Sequence, residues 1–446
     1  MSETDFTIRD LGKRSVPSPI ALSTVYGDSR ANYVTEDEYI LYDIEARPSD
    51  PRKTYRTEEL LELAGPRERI YFNPGHTHAA IVTCGGLCPG LNDVIRSIVR
   101  CLWHRYGVKR ITGVRNGFRG FLPEFNLPTM ELEPIGVDDI HTKGGTILGS
   151  SRGYGDRQTE IVDALERMNI NMLFTIGGDG TQRGALAISR EAQSRGLNIA
   201  VVGIPKTIDN DLSFIQRSFG FETAVAKAVE AVASAHVEAS SALNGIGLVK
   251  VMGRESGFIA AHTTLAINDV NFTLIPEIPF DLHGEHGLLT HLRDRIAGRG
   301  HAVVLVAEGA GQSLLEESEE SDASGNRILS DIGLFLKDRI DRYFKDIAVP
   351  ASLKYIDPSY MIRATPAHPG DSIYCARLGA YAAHAAMAGK TEVLISLVNN
   401  AFVHLPIETA VSRRNQVDPE GSLWRDVLEV TRQPISMSSG TDAADD

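Results

Sequence analysis

The feature that most constrains the fold of this sequence is a cycle that begins at residue 79: a short apolar run, a glycine-bearing turn, then an apolar stripe at helical spacing. Residues 79–83 (AAIVT) read as a buried strand; a glycine-rich turn follows, and Val94, Ile95, Ile98, Val99 and Leu102 recur at helical intervals. Ile161, Val162, Leu165 and Met168 mark the next helix, residues 172–176 (MLFTI) a second strand, and Ala185, Ile188 and Ala192 a helix ending near Gly196. Residues 199–204 form a third strand. Beyond residue 212 the cycle resumes, with a stripe of Val225, Ala228, Val229 and Val232 and strands at 246–251 and 302–307. Strand, turn and helix in repetition specify parallel βαβ units. The expected class is α/β, with two doubly wound Rossmann-like lobes of mostly parallel sheet plus an N-terminal extension.

The 446 residues leave room for two or three domains of roughly 150 residues each. Residues 1–75 are polar, interrupted by six prolines and without sustained periodicity, so they read as an extension wrapped on a core. The boundaries expected from the pattern are 76–212 for the first lobe, 213–400 for the second, and 401–446 for a C-terminal segment packing back. Residues 314–326 (LLEESEESDASGN) read as an acidic, mobile surface insertion, and the tail SMSSGTDAADD as a frayed end.

Forty-five Lys and Arg against 58 Asp and Glu give a net charge of −13, which argues against nucleic acid or an anionic membrane as the main partner. An anionic substrate then requires a locally basic pocket. No apolar stretch approaches the roughly 18 residues of a membrane span, and the first residues lack the apolar core of a secretion signal, so a cytoplasmic protein is expected. Cys84 and Cys88 flank three residues with no matching His or Cys pair; the four cysteines read as reduced structural thiols rather than a zinc site.

Chemistry concentrates in loops. The turn at 83–92 (TCGGLCPGLN) places glycines between a strand and a helix, where backbone N–H groups can approach a phosphate; it could equally serve only to reverse the chain. In Gly177-Gly178-Asp179-Gly180-Thr181 an acidic residue interrupts such a loop, which suits Mg²⁺ bridging phosphate oxygens or, alternatively, a helix N-cap. Residues 205–212 (PKTIDNDL) offer Asp209 and Asp211 as a base and its partner and Lys206 as a cation, although Asn and Asp also favour turns. Residues 144–153 (GGTILGSSRG) crowd small residues around Arg152. Met252-Gly253-Arg254 and Glu308 follow apolar strands, the position where open α/β sheets bind ligands. Tyr360-Met361-Ile362-Arg363 sets an aromatic ring three residues from a guanidinium, as a sugar-phosphate holder or as a packed Tyr beside a paired Arg. Metal, base, cations and glycine cradles together describe phosphoryl transfer to a hydroxyl.

These motifs, in this order, resemble the phosphofructokinase family. The resemblance runs from about residue 78 to 400 through GGLCPGLN, GGTILGSSRG, GGDGTQRGA, PKTIDNDL, GFETA, MGRESGFIA, AEGAGQ and YMIR, and is similar to the long plant- and trypanosome-like branch. It implies a 6-phosphofructokinase, transferring phosphoryl to the 1-hydroxyl of fructose 6-phosphate, with Mg²⁺ as cofactor and a homotetramer, or a homodimer, as the assembly. In family terms 76–212 becomes the nucleotide and metal lobe and 213–400 the sugar-phosphate lobe. Asp209 would be the base, Asp211 its tuning neighbour, Lys206 and Arg152 the cations, and Asp179 the metal ligand. Gly85, Arg152, Gly153, Gly178, Asp179, Gly180 and Thr181 would contact ATP. Thr207, Ile208, Asp209, Met252, Gly253, Arg254, Glu308, Tyr360, Met361, Ile362 and Arg363 would surround the sugar phosphate.

The family divides by donor. Pyrophosphate users carry Asp at the position of Gly180, where a carboxylate would crowd and repel the α-phosphate of ATP; glycine leaves room, so ATP is expected despite Lys206, which both branches share. Short bacterial members have an Arg at the position of Gly245, so a substrate contact across subunits is not carried over. The alternatives are a pyrophosphate-dependent enzyme, a catalytically silent regulatory paralogue, and a GGDGT-containing lipid or NAD kinase; the last leaves PKTIDND, MGR and YMIR unexplained.

Overall fold

The computed structural model describes residues 5–44, 55–315 and 329–438. Most of the acidic insertion and of the C-terminal tail expected from the sequence lie outside the described residues. The chain divides into two compact units. The first comprises residues up to Thr207, Leu212–Gly220 and Ala364–Arg414; the second comprises Ile208–Asp211, Phe221–Arg363 and residues from Asn415 onward.

In chain order the first unit contributes β1 (His78–Thr83), α1 (Leu91–Arg100), β2 (Arg110–Val114), β3 (Met130–Glu131), α2 (Gln158–Arg167), β4 (Met172–Gly177), α3 (Asp179–Ser194) and β5 (Ala200–Pro205). The second contributes α4 (Phe221–Ser240), β6 (Gly245–Val251), α5 (Phe258–Ile267), β7 (Phe272–Leu274), α6 (Leu288–Arg299), β8 (His301–Ala307), α7 (Ile332–Asp346), β9 (Ser352–Ile356) and most of α8 (Ser359–Ala364). The chain then returns to the first unit as α9 (Pro369–Met387), β10 (Val393–Val398) and β11 (Ala401–Pro406).

The first sheet runs β11-β10-β5-β4-β1-β2-β3, with a parallel interior and antiparallel strands at both edges. Every residue of β1, β4 and β5 is buried, as expected of parallel strands covered on both faces. Ala80, Val82, Leu173 and Val201 share a core with Ile161 and Leu165 of α2 and Ile188 of α3. Helix α9 packs closely on α1: a side chain at Gly379 would meet the Ser97 Cβ at 2.7 Å.

The second sheet runs β7-β8-β6-β9 and is parallel throughout. Its core joins Ile246, Leu248, Val304 and Val306 with Leu289, Leu292, Leu336 and Ile340. The sequence places Val225 and Val229 on the buried stripe of α4, but both are only half-buried. The buried face runs instead through Ala224, Ala228, Ala231, Val232, Ala235 and Ala239. The reason is close approach: Gly247 of β6 lies against Ala235, whose carbonyl would be 2.9 Å from an added Cβ. Only small residues fit between helix and sheet at that spacing.

The boundary expected at 213–400 also differs. Residues 212–220 and 364–414 belong to the first unit, because β10 pairs in parallel with β5 (Val202 opposite Val393) and α9 covers the same sheet as α1. Periodicity identifies elements but not the sheet edge to which a later strand returns. The extension pairs antiparallel with the rest of the first unit at Arg9–Asp10 and Lys390–Thr391, and within itself at Tyr39–Leu41 and Leu60–Glu62. Phe6 and Tyr42 stack edge-on around Phe214, and buried Glu62 accepts from Arg67 at 2.6 Å and Lys390 at 2.8 Å, so its burial is offset by two cations.

Gly245 opens β6 with no room for a side chain: an added Cβ would lie 2.0 Å from the Ala239 carbonyl. Gly245→Arg should therefore lose about 3 kcal/mol of stability, the upper range for overpacking. Denaturant unfolding checks this, and a midpoint equal to wild type would show that the site is open.

Candidate active site

Three of the motif turns leave the first sheet side by side. Thr83 pairs with Ile176 and Ile176 with Ile204, so β1, β4 and β5 end in one row at their carboxyl ends. The turns at 84–90, 177–181 and 206–207 start there, the edge of an open α/β sheet where ligands bind.

At the second turn Gly178 takes the N-cap position of α3, and Asp179 is the first helical residue. The N-cap alternative for Asp179 is thereby excluded. Its carboxylate, about one-third exposed, lies 3.1 Å from Arg183 Nε one helical turn on. Thr181 is buried, and its hydroxyl occupies the space beside Gly177, where an added Cβ would be 2.2 Å away. Gly180 is exposed in the first turn of α3.

Lys206 follows β5 and is buried; its Nζ donates to the Gly86 carbonyl at 2.8 Å. Gly85 adopts φ +85°, and an added Cβ would stand 3.1 Å from the same ammonium. Arg152 approaches from the other loop, its Nη2 3.8 Å from where a Gly86 Cβ would be. Two cations thus flank the first glycine turn. The loop carrying Arg152 and Gly153 (φ +81°) is tied down at several points. Gly85 N donates to Ser151 O at 2.9 Å, Ser150 Oγ to Gly85 O at 2.7 Å, and Thr83 Oγ1 to Gly149 O at 2.7 Å. Ser218 Oγ donates to the Thr207 carbonyl.

Sequence reasoning missed the residues that build this arrangement. Asn92 donates to Lys143 O at 3.1 Å and accepts from Ile147 N at 2.9 Å, clamping the Arg152 loop to the start of α1. Gln182, fully buried, donates from Nε2 to Gly177 O (2.8 Å) and Ile204 O (3.2 Å), bridging the ends of two neighbouring strands. Both stand inside quoted motifs, which was the available signal.

The second unit gathers the remaining candidates. Asp209 and Asp211 lie on the segment Ile208–Asp211; the Asp209 carbonyl accepts from buried Ser256 Oγ at 3.0 Å, and Ile208 is buried. Gly253 (φ +139°) leads into Arg254, whose own φ of +33° is a strained value for a residue with a side chain. Arg254 N donates to Glu308 Oε1 at 3.3 Å, and Gly309 must lack a side chain because an added Cβ would fall 1.4 Å from Arg254 O. On α8, Arg363 Nε donates to Met252 Sδ at 3.3 Å. Tyr360 and Met361 are exposed, whereas Ile362, expected among the sugar-facing side chains, is fully buried. Successive side chains of a helix point about 100° apart, and Ile362 takes the core-facing direction.

Burial, with the neighbouring charges of Asp211 and Glu308, pushes Asp209 up to about 8, opposed by Arg254 and Arg363. A carboxyl so placed, among guanidinium groups, is suited to accept a proton near neutral pH. The four cysteines are buried thiols, and burial raises Cys84 to about 12.

These are the features of a phosphoryl-transfer enzyme of the α/β class. The phosphofructokinase family profile matches residues 78–386, and the chain belongs to that family. It is 58% identical over 442 residues to the ATP-dependent 6-phosphofructokinase of Borreliella burgdorferi, covering 98% of both chains. To the ATP-dependent 6-phosphofructokinase of Trypanosoma brucei brucei it is 46% identical, covering 97% of this chain and 88% of that one. In fold it is similar to the pyrophosphate-dependent phosphofructokinase of Marinobacter aquaeolei, with a TM-score of 0.66 at 22% identity, covering 79% of this chain and 91% of that one.

Removing the like charge of Asp211 beside Asp209 should lower the proton affinity of the Asp209 carboxyl. In Asp211→Asn the Asp209 carboxyl is expected to titrate below its wild-type position, read by NMR of labelled aspartate. An unmoved titration would leave burial and the charge of Glu308 as the causes.

Proposed function

We propose that the chain is an ATP-dependent 6-phosphofructokinase, transferring the γ-phosphoryl group of ATP to the 1-hydroxyl of fructose 6-phosphate and giving fructose 1,6-bisphosphate and ADP. The observation that supports this reading is the burial of the Asp209 carboxyl with the charges of Asp211, Glu308, Arg254 and Arg363 acting on it. The relatives named above support it at high identity over nearly the whole chain.

In this reading Arg254 and Arg363 bind the sugar phosphate, with Met252, Gly253 and Glu308 shaping its surroundings and Tyr360 and Met361 offered from α8. Ionised Asp209 takes the proton of the 1-hydroxyl as that oxygen bonds to the γ-phosphorus; the bond from phosphorus to the β,γ-bridging oxygen breaks and ADP departs. Gly85, Gly153, Gly178, Gly180 and Thr181 face the nucleotide, and Lys206 and Arg152 supply positive charge to the phosphates. Gly180, exposed and without a side chain, leaves space beside the α-phosphate.

Mg²⁺ fits Asp179. The ion is usually held by one or two carboxylates together with substrate phosphates and water, and Asp179 is a partly exposed carboxylate at the head of α3 beside the glycine turn. When bound, the ion neutralises phosphate charge. Among the described residues no helix is long and apolar enough to cross a membrane. Family resemblance further supports a cytoplasmic homotetramer, with a homodimer as the second assembly.

The donor comparison tests the reading: with fructose 6-phosphate and Mg²⁺, turnover should be faster with ATP than with pyrophosphate, and the reverse order would overturn the assignment. Gly180→Asp should sharply weaken ATP use; unchanged ATP kinetics would remove the steric and electrostatic argument. Asp209→Ala is expected to reduce kcat about a thousandfold while fructose 6-phosphate still binds, within the range for loss of a general base. Because Asp209 works only when ionised and its proton affinity is raised, kcat/KM should rise with pH through an acid limb well above the ordinary carboxylate range.

A further inference from the structure

Lys250, the penultimate residue of β6, is sheltered, with 12% of its side chain exposed. Its ammonium lies between two carboxylates, 3.0 Å from Asp331 Oδ2 and 3.0 Å from Asp357 Oδ2. Each carboxylate organises the start of a helix. Asp331 is the N-cap of α7, accepting from Leu334 N at 3.1 Å. Asp357 Oδ1 accepts from Ser359 N at 3.0 Å and from Ser359 Oγ at 2.5 Å where α8 begins.

Both connections lead to the sugar-facing residues of the second unit. Helix α8 carries Tyr360 and Arg363, and Arg363 reaches back to Met252, two residues beyond Lys250 and just past the end of β6. Next to Asp331, Ser330 exchanges hydrogen bonds with Gln312, accepting from Nε2 at 3.0 Å and donating to Oε1 at 3.2 Å. The same Nε2 donates to the Glu308 carbonyl at 2.8 Å. The segments bearing Met252 to Arg254, Glu308, and Tyr360 to Arg363 therefore converge on one ammonium group.

We propose that Lys250 is a positioning residue for fructose 6-phosphate, holding α8 through Asp357 so that Arg363 is set beside Met252 before the sugar phosphate arrives. The inference rests on the functional reading above. Without the ammonium, Asp331 and Asp357 face each other uncompensated, α8 loosens, and part of the binding energy of the sugar phosphate is spent on ordering it. The 6-phosphate does not react, so its contacts are equal in ground and transition states, and their loss raises KM while leaving kcat nearly intact.

Steady-state kinetics on the full chain test this. Lys250→Met, which keeps the stem and removes the charge, should raise KM for fructose 6-phosphate about tenfold, with kcat and KM for ATP changed by less than about threefold. Lys250→Arg should restore most of the loss, since it keeps the charge in a different geometry. Asp357→Asn should reproduce the split, and it serves as the measurement if Lys250→Met fails to fold. Folded variants with an unchanged KM for fructose 6-phosphate, or with equal losses in both substrates and kcat, would overturn the inference. A wild-type chain that does not phosphorylate fructose 6-phosphate would instead overturn the functional reading itself.

Discussion

Parallel pairing of β4 with both β1 and β5 is the constraint on which the first unit depends. It brings Thr83, Ile176 and Ile204 into one row, so three turns far apart in sequence leave the sheet at neighbouring points. Side-chain bridges then hold those turns in place: Gln182 between the ends of β4 and β5, Asn92 and Thr83 between the first turn and the Arg152 loop. Gln182 satisfies backbone carbonyls at the ends of the ladder, and Asn92 and Thr83 satisfy backbone groups of the loop at 143–149. The cations Lys206 and Arg152 flank a glycine turn because their own backbones are fixed by this scaffold.

In the second unit the organising interaction is electrostatic. Asp209 is costly to ionise in its surroundings, with burial, Asp211 and Glu308 all opposing the charge, and Arg254 and Arg363 only partly offsetting them. Such a group trades stability of its charged form for proton affinity, which is what the proposed proton abstraction from a sugar hydroxyl requires. The strained backbone of Arg254 and the glycines Gly253 and Gly309 belong to the same design, since they let the turn after β6 and the turn after β8 come within hydrogen-bonding distance.

Much of this was legible in the residues. The apolar runs of β1, β4, β5, β6 and β8 and the stripes of α1, α2 and α3 were readable because burial on both faces of a strand and on one face of a helix leaves distinct periods. The motif turns were readable because glycine, aspartate and lysine at strand ends have few conformational substitutes. The stripe of α4 was misread because alanine carries almost no signal against valine, although close packing on Gly247 selects it. Ile362 was grouped with its exposed neighbours because a motif gives order along the chain and not direction around a helix.

The sequence by itself determined the α/β class, the order of the elements and the chemical types that stand at the strand ends, since these follow from local periodicity and from what each side chain can do. Tertiary structure alone decided that residues 364–414 complete the first sheet, that Gly178 rather than Asp179 caps α3, and that Lys250 joins three distant segments. Those outcomes depend on contacts between residues remote in sequence, whose energies are set by the whole packed arrangement and leave no periodic trace along the chain.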